Sequence, residues 1–488
     1  MKIDTETLNQ SIKDYLVKKW PYIKSDIGSL VKIPSYISNY NKDMTDKYPM
    51  GEETAMALIK TLEIAKKLNF NTKNYKNILG IADIDGKSSI QLGFLSHLDV
   101  VPAGNGWNFK PFELTEHNGY LIGRGVLDDK GPTILMLYAI DFVNSIYNKN
   151  NEHLPYSIRY IFGTDEETGM NDVEIYKKNF NTPKMTLIPD SDFTIVYGEK
   201  GVLRLKITSP NLGDDNKIKY IYAGVANNTV TGSARAIIQL ENGQEITTKF
   251  SKLRHVISIE KIEADQVMIK AKGRSTHAFD PYKGIDAIGI LIKFLNECNI
   301  GNARERKFLK FLEKITCNAD GSGIGIKTYD KHLKDLTITA TKIRMCGNKL
   351  VMNLDSRVPL NITAEKIQEI IKSKAPEGSL IEIISNSKPF VINPKSKIIK
   401  TISKSYIEAT DDIARLTTSG GSTYAKKLKN SIVFGPEMPW IPKPAFIGEI
   451  HGPDEGESIA NMKRTFKIFV FAILAIMKLD LNSSDLFL

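Results

Sequence analysis

The stretch GTDEETG, residues 163 to 169, places three carboxylates side by side directly after the strand-like run YSIRYIF. Like charges this close repel one another unless a cation or a shared proton holds them together. The simpler interpretation is a solvated turn, because acidic turns are common. The stretch therefore predicts either a surface turn or a site that binds metal or moves a proton, and other parts of the chain must distinguish the two.

The stretch SHLDVVPAG supplies a histidine that could bind a metal. On a strand, His97 and Asp99 point to the same face, because successive side chains alternate between the two faces. A ligating imidazole commonly donates its other N–H to a carboxylate, which makes His97 a candidate ligand. Asp99 is then either the partner of that imidazole or a group that orients a base. A histidine two residues from an aspartate is more often a surface pair, so this motif is a weak signal on its own.

Three more loops carry acids or a histidine. In GRGVLDDKG, Asp128 and Asp129 precede a helix, where a helix cap is the simpler interpretation. Asp190 follows an apolar strand, and His451 lies in a glycine-rich loop. Loops of this kind build the sites of α/β sheets. Two histidines and several carboxylates on the loops of one sheet would suit a pair of divalent ions, zinc in particular.

Alternating helix and strand signals predict a sheet with helices on its faces. EETAMALIKTLEIAKKLNF has apolar residues at helical spacing, and IQLGFLSHLDVV is an apolar run typical of a buried parallel strand. A further helix is expected to begin after Pro132. From about residue 199 the pattern changes to α+β, and the α/β signals return near residue 394. We therefore predict a discontinuous α/β domain, residues 1–198 and 394–488, interrupted by an inserted domain, residues 199–393.

Composition indicates an ordinary globular chain with more than one domain. Its 488 residues exceed one ordinary core, and 42% hydrophobic and 25% charged residues are normal values. Three cysteines without a CxxC spacing predict neither a disulfide framework nor a zinc ribbon. Together with a polar N-terminus, they predict a cytoplasmic protein.

Two other classes of partner are disfavoured. The net charge of +10 raises the question of nucleic acid, but the lysines are scattered among acids. No zinc finger, RNA-binding aromatic signature or basic helix is present, so we expect no nucleic-acid partner. The apolar run IFVFAILAIM, residues 468 to 477, is half as long as the ~20 residues of a membrane span. It predicts a buried helix, and no membrane partner is expected.

Six stretches in order, HLDVVPAG, GRGVLDDKG, GTDEETG, PDSDF, STHAFDP and IHGPDE, resemble the aminoacylase/carboxypeptidase-type family of di-zinc metallopeptidases. Within it the chain is most similar to the peptidase V-like dipeptidases, of the Xaa-His and β-Ala type, in HLDVVPAGNGW, GEKG and GGSTYA. The resemblance runs over essentially the whole chain and is looser in the inserted domain. It implies a zinc-peptidase catalytic domain, with a mixed sheet flanked by helices, and an inserted α+β (ferredoxin-like) lid.

The resemblance implies five ligands for two zinc ions, with manganese or cobalt as alternatives. One of them, Asp128, would bridge the ions. The others would divide between the two sites, His97 and Asp190 in one and Glu167 and His451 in the other.

Neighbouring acids would have other roles. Glu166 would stay unligated as the general base, taking a proton from the attacking water and passing it to the leaving amine. Asp99 would hold the imidazole of His97. The resemblance thus implies that Glu166 transfers a proton and that the adjacent Glu167 binds a metal ion. Asp165 has no implied role and is expected to be a turn residue.

Substrate contacts would come from the inserted domain and a later loop. His277 in STHAFDP would stabilise the oxyanion, although alone it is better read as a surface histidine. Arg357 and Asn228 would bind the substrate carboxylate and the intermediate. Gly421 and Thr423 of GGSTYA would supply backbone donors for a C-terminal carboxylate.

The implied function is a zinc-dependent dipeptidase that cleaves free dipeptides with a metal-bridging hydroxide and Glu166 as base. An N-acyl-amino-acid deacylase is the alternative. A non-catalytic metal-binding relative is disfavoured, because the base and all five ligand candidates are present. We expect a monomer, since an insertion of nearly 200 residues can hold two α+β units of ~100 residues each. The second of these units could cover the surface by which smaller family members dimerise.

Overall fold

The computed structural model describes residues 4–37, 45–241, 246–247 and 252–488. The chain forms two compact units. The first unit comprises Met1–Tyr197, Ile392–Thr417 and Thr423–Leu488, and the second unit comprises Gly198–Val391 and Thr418–Ser422.

The helices and strands have the following bounds. The helices are α1 (Thr5–Val31), α2 (Glu52–Lys67), α3 (Lys130–Lys149), α4 (Asn171–Asn179), α5 (Ala287–Glu297), α6 (Ala303–Thr316), α7 (Ala364–Lys374), α8 (Lys397–Thr410) and α9 (Ile459–Ile476). The strands are β1 (Asn71–Tyr75), β2 (Leu79–Ile84), β3 (Ser88–His97), β4 (Thr115–His117), β5 (Tyr120–Ile122), β6 (Tyr156–Gly163), β7 (Met185–Ile188), β8 (Ser191–Asp192), β9 (Ile195–Glu199), β10 (Gly201–Thr208), β11 (Ile218–Ala223), β12 (Thr229–Val230), β13 (Ser233–Gln239), β14 (Ile257–Glu263), β15 (Gln266–Lys272), β16 (Thr276–His277), β17 (Tyr329–Asp330), β18 (Lys334–Asp335), β19 (Thr337–Cys346), β20 (Lys349–Val358), β21 (Leu380–Ser387), β22 (Phe390–Val391), β23 (Leu416–Ser419), β24 (Ser431–Val433), β25 (Pro436–Glu437) and β26 (Gly456–Ser458).

A mixed sheet forms the centre of the first unit. Seven of its nine strands follow the order β1-β2-β6-β3-β7-β24-β9. Strands β6, β3, β7 and β24 are parallel to their neighbours within this group, and the pairs towards β1 and towards β9 are antiparallel. Strand β7 and the second half of β3 are buried along their length, as their apolar sequences predict. The carboxyl ends of the parallel strands therefore lie along one edge of the sheet, where α/β folds build their sites.

Two apolar helices pack in the core of the first unit. Helix α9 contains the predicted buried helix of residues 468 to 477, and its Phe466 and Phe469 are fully buried. In the part of the chain that the structure describes, no helix is long and apolar enough to span a membrane. Helix α3 begins at Lys130 rather than after Pro132. Proline is tolerated there because the first turn of a helix leaves its N–H groups without intrahelical partners.

A single antiparallel sheet organises the second unit. Its strand order is β14-β15-β13-β11-β19-β20-β10-β21, and helices α5, α6 and α7 share a core with it. Along β10, Leu203, Leu205 and Ile207 are fully buried, whereas Arg204 and Lys206 are partly exposed. One face of this sheet thus carries the core, as the alternating strands in the sequence predict.

The buried aromatic contacts of α9 supply a test of the core. Phe469 lies 6.0 Å from Phe193 and 6.1 Å from Phe434, measured between ring centroids. We expect Phe469→Ala to lower the free energy of unfolding of the first unit by about 3–5 kcal/mol, because it leaves a cavity. Urea unfolding can be followed by tryptophan fluorescence, since the chain's three tryptophans all lie in the first unit.

The matched control for this substitution is Lys478→Ala, which alters an exposed residue just past the same helix. It should change the free energy of unfolding by no more than about 0.5 kcal/mol. Equal effects of the two substitutions would contradict the packing described for α9.

Candidate metal centre

The predicted ligands lie on loops of the first unit. His97 ends β3, the GTDEETG turn follows β6, and Asp190 follows β7 by two residues. Because these strands are parallel and adjacent, their carboxyl ends bring the three segments to one edge of the sheet. Asp128 lies between β5 and α3, and His451 lies in the loop before β26.

The carboxylate of Asp128 lies between two imidazoles. Its Oδ1 is 2.9 Å from His97 Nε2, and its Oδ2 is 3.0 Å from His451 Nε2. His97 Nε2 also lies 3.7 Å from Asp190 Oδ1, and His451 Nε2 lies 3.0 Å from Glu167 Oε1. The structure therefore brings all five predicted ligands together, in two groups that share Asp128.

Glu166 belongs to the same cluster but lacks the contacts of Glu167. Ligand atoms of His97, Glu166 and Asp190 lie within 4.8 Å of one another, as do those of His97, Asp128 and Glu167. In the part of the chain that the structure describes, Glu166 Oε1 is buried without a hydrogen-bond partner. A buried carboxylate oxygen in this state is costly unless a cation or a proton meets it.

The electrostatics of the cluster favour positive charge. Burial, reinforced by the charge of Asp190, raises the pKa of Glu166 well above its usual value. Burial also raises the pKa of Glu167. Burial has the same tendency at Asp128, but hydrogen bonds from His451 and His97 outweigh it and hold the pKa of Asp128 below its usual range. The raised pKa values of Glu166 and Glu167 mean that their negative charge is costly without a cation or a proton nearby. Imidazole and carboxylate groups arranged together are also the ligands that divalent cations such as zinc accept.

Asp99 orients the site through both its main chain and its side chain. His97 Nδ1 donates to the main-chain oxygen of Asp99 at 2.9 Å, which leaves Nε2 to face Asp128. The Asp99 carboxylate lies 3.5 Å from Nδ1 and accepts the backbone N–H groups of Glu166 at 3.1 Å and Glu167 at 3.0 Å. Its carboxylate therefore fixes the turn that carries both glutamates, a contact that the sequence did not suggest.

Asp165 is the turn residue that the sequence predicts. Its carboxylate accepts the hydroxyl of Thr168, and both the backbone and the side-chain N–H of Asn171 at 2.9 Å. These bonds join the side chain of Asp165 to Thr168 and Asn171 and so fix the end of the acidic turn.

Sequence reasoning missed a second support of the same turn. The buried carboxylate of Asp172 accepts the backbone N–H groups of Thr164 at 2.7 Å and Asp165 at 3.1 Å. It also accepts the hydroxyl of Tyr424. Burial raises the pKa of Asp172 to about 7. Tyr424 belongs to the stretch GGSTYA, so the sequence motif does contain this residue. Its partner Asp172 is 252 residues away, and no local pattern in the sequence identifies that pairing.

Asn228 and His277 lie together in the second unit. Strands β12 and β16 pair Thr229 with His277, and the Asn228 carbonyl accepts the N–H of Ala278 at 2.8 Å. Asn228 Nδ2 lies 3.4 Å from His277 Nε2. His277 Nδ1 accepts the N–H of Phe279 at 3.1 Å, so the neutral ring carries its proton on Nε2. Asn228 and His277 thus form a polar pair on two short paired strands.

Arg357 contacts the glycine-rich segment of the second unit. It is buried, donates to Asp355 at 2.7 Å through Nε, and donates to the Gly420 carbonyl at 2.9 Å through Nη1. The N–H of Gly421 donates to the Ser419 hydroxyl at 2.8 Å. Thr423 belongs to the first unit, where its hydroxyl accepts the backbone N–H of residue 425 at 3.2 Å.

Comparison with known sequences identifies the class of protein. Residues 93–475 match the family described as Peptidase family M20/M25/M40. The chain is 31% identical over 440 residues to "Putative dipeptidase YtjP" of Bacillus subtilis (strain 168), which spans 88% of this chain and 92% of that protein. It is 28% identical over 425 residues to "Putative dipeptidase SAR1836" of Staphylococcus aureus (strain MRSA252), with 85% and 89% covered. The chain belongs to this peptidase family and is a hydrolase that acts on peptide bonds.

Solved structures share the fold. The di-peptidase Dug1p from Saccharomyces cerevisiae aligns with a TM-score of 0.59 at 14% identity, over 98% of this chain and 100% of that chain. Human carnosine dipeptidase 1 aligns with a TM-score of 0.58 at 13% identity, over 97% and 99%. At this identity the likeness concerns the fold, and it confirms the predicted α/β class with a mixed sheet flanked by helices.

Proposed function

We propose that this protein is a dipeptidase that hydrolyses the peptide bond of free dipeptides with the help of two divalent cations. The observation that supports this most is the pair of neighbouring glutamates. Glu167 contacts His451 among the candidate ligands, whereas Glu166 keeps a buried oxygen without a hydrogen-bond partner in the described chain. That division suits one acid for metal binding and the other for proton transfer.

The cations would be held by five side chains, as two sets that share one carboxylate. Zinc is the proposed metal, because it accepts mixed imidazole and carboxylate donors, and manganese and cobalt are alternatives. When bound, such ions polarise a carbonyl group and make water more acidic. The proposed ligands are His97, Asp190, Glu167, His451 and the shared Asp128.

Glu166 would act as the proton carrier in both halves of the reaction. As a carboxylate it takes a proton from the water that attacks the peptide carbonyl. As a carboxylic acid it then donates that proton to the leaving nitrogen, so that the nitrogen departs as a neutral amine rather than as an amide anion. The Asp99 carboxylate keeps Glu166 in place, because it bonds to the backbone N–H of that residue.

Residues of the second unit would stabilise the reacting groups. The N–H donors of His277 and Asn228 suit the negative charge that develops on the carbonyl oxygen. Arg357 would bind the substrate carboxylate, with backbone donors near Gly421 and Thr423 closing the subsite. A carboxylate bound there would limit the substrate to one residue beyond the cleaved bond.

The inserted domain, about residues 199–393, would act as a lid within a monomeric chain. In the described residues its sheet has eight strands. A unit of that size could supply the surface that smaller members of the family obtain from a partner subunit. His277 would then serve the chain to which it belongs.

Substitutions at Glu166 and Asp128 should separate proton transfer from metal binding. Glu166→Gln should bind metal as the wild type does but lose about 10²–10⁴-fold in kcat, because the base is gone. Asp128→Ala should lose metal, because its carboxylate is proposed to hold both ions. Bound metal is measured by elemental analysis after dialysis and kcat by release of amino acid. Near-normal kcat in Glu166→Gln would show that another group is the base.

A matched pair of substrates should distinguish the dipeptidase from the deacylase. Alanyl-leucine and N-propionyl-leucine have nearly the same shape, but only the first has an α-amine. We expect the first to be cleaved and the second to be cleaved poorly, each assayed with and without added zinc. Preference for N-propionyl-leucine would show that the protein is an N-acyl-amino-acid deacylase. Efficient cleavage of a hexapeptide would contradict the proposed limit of one residue beyond the cleaved bond.

The monomer can be tested by mixing two inactive variants, Glu166→Gln and His277→Ala. If His277 serves its own chain, no mixed assembly contains a complete site, and activity stays at the level of the separate variants. The mass in solution, measured by light scattering, should be that of one chain. Recovery of activity together with a dimer mass would show that His277 acts across a subunit interface.

A further inference from the structure

Two residues of the sequence motifs neither bind metal nor contact substrate in the proposed mechanism. They are Arg124 of GRGVLDDKG and Glu455 of IHGPDEG, and their side chains form an ion pair that is 1% and 0% exposed. A buried ion pair is a weak source of stability, because taking both charges out of water costs about as much as their attraction returns. Its position in the fold therefore suggests a different role.

Glu455 holds the loop that leads to Asp128. Its Oε1 accepts the backbone N–H groups of Gly125 at 2.9 Å, Leu127 at 3.1 Å and Asp128 at 3.2 Å. Its Oε2 accepts from Arg124. One carboxylate thus fixes three N–H groups within four residues, the last of which belongs to the proposed bridging ligand.

Arg124 holds the loop that carries His451. Its Nη2 donates to the main-chain oxygens of His451 at 3.2 Å and Gly452 at 3.1 Å. The guanidinium also lies 5.2 Å from the ring centroid of Trp107, in the stretch HLDVVPAGNGW. The backbone of His451 has a φ of 62°, a left-handed conformation that is uncommon outside glycine, so this loop needs support from its surroundings.

The two sets of bonds join the loops of both proposed metal sites. Asp128 lies between the imidazoles of His97 and His451, so a change in either loop alters the distance from the shared carboxylate to His451. We propose that Arg124 and Glu455 are positioning residues that set the separation of Asp128 and His451, and through it the affinity for the metal ions. This inference rests on the metal centre proposed above.

The test uses Glu455→Gln, which preserves size and one acceptor oxygen and removes the charge. We expect zinc to bind the metal-free variant about 10–100-fold more weakly than the wild type in a calorimetric titration, the usual effect of losing a group that orients a ligand. The control is Asp83→Asn, which breaks the ion pair of Asp83 with Arg159 in the same unit, at 2.7 Å. The control should bind zinc as the wild type does.

Hydrogen exchange supplies a readout that does not depend on metal. In the metal-free wild type the amides of Gly125, Leu127 and Asp128 should exchange slowly, and in Glu455→Gln they should exchange faster. Fast exchange in the wild type would overturn the inference. If Glu455→Gln does not fold, Arg124→Lys replaces it, with the same loss of zinc affinity expected, because lysine cannot bond the acid and both carbonyls as arginine does.

The outcomes separate this inference from the proposed function. Unchanged zinc affinity in a folded Glu455→Gln or Arg124→Lys variant would overturn the positioning role and leave the metal centre intact. A wild type that binds neither zinc, manganese nor cobalt would overturn the metal centre and the inference with it. Weakened zinc binding in the variants, with no cleavage of dipeptides by the wild type, would support the positioning role and overturn the dipeptidase.

Discussion

Repulsion among the acids at the carboxyl edge of the first unit's sheet is the constraint on which the rest of the site depends. Side chains of like charge are brought together here with little water, where their repulsion is strong. The acids concerned are Asp99, Asp128, Asp129, Glu166, Glu167, Asp190 and Glu455. A fold can hold such a set only if nearly every carboxylate has its own donor, or if cations are shared among them.

The structure satisfies four of these acids in two ways. Asp99 and Glu455 accept backbone N–H groups, and they hold the loops in place. Asp128 and Glu167 instead face imidazoles, and a metal ion could replace the protons shared in these pairs. The first group stabilises the scaffold in any state of the site, and the second is stabilised only when protons or metal ions are present. The carboxylates that hold the loops are thus different from those that face the imidazoles.

The sequence predicts those features of the structure that depend on residues close together along the chain. Strand β3, helix α9 and the order of the motifs follow from local periodicity and from short patterns. Helix α1 is not among the predicted elements, although its buried Leu8, Ile12 and Leu16 recur at helical spacing. The pairing of Arg124 with Glu455 joins residues 331 apart, and no local pattern selects such a partner. Arg124 lies in GRGVLDDKG and Glu455 in IHGPDE. Their contact depends on the folded positions of these two loops, which the sequence motifs do not specify.

Two adjacent glutamates, Glu166 and Glu167, have different surroundings in the folded chain. Glu166 and Glu167 have the same side chain, and both of their backbone N–H groups bond to the carboxylate of Asp99. The backbone hydrogen bonds of Glu166 and Glu167 therefore do not distinguish the two residues. The difference arises from the loop of His451, which brings an imidazole to Glu167. Because Arg124 bonds to the carbonyl of His451, the difference between the surroundings of the two glutamates depends on a contact remote from both in the sequence.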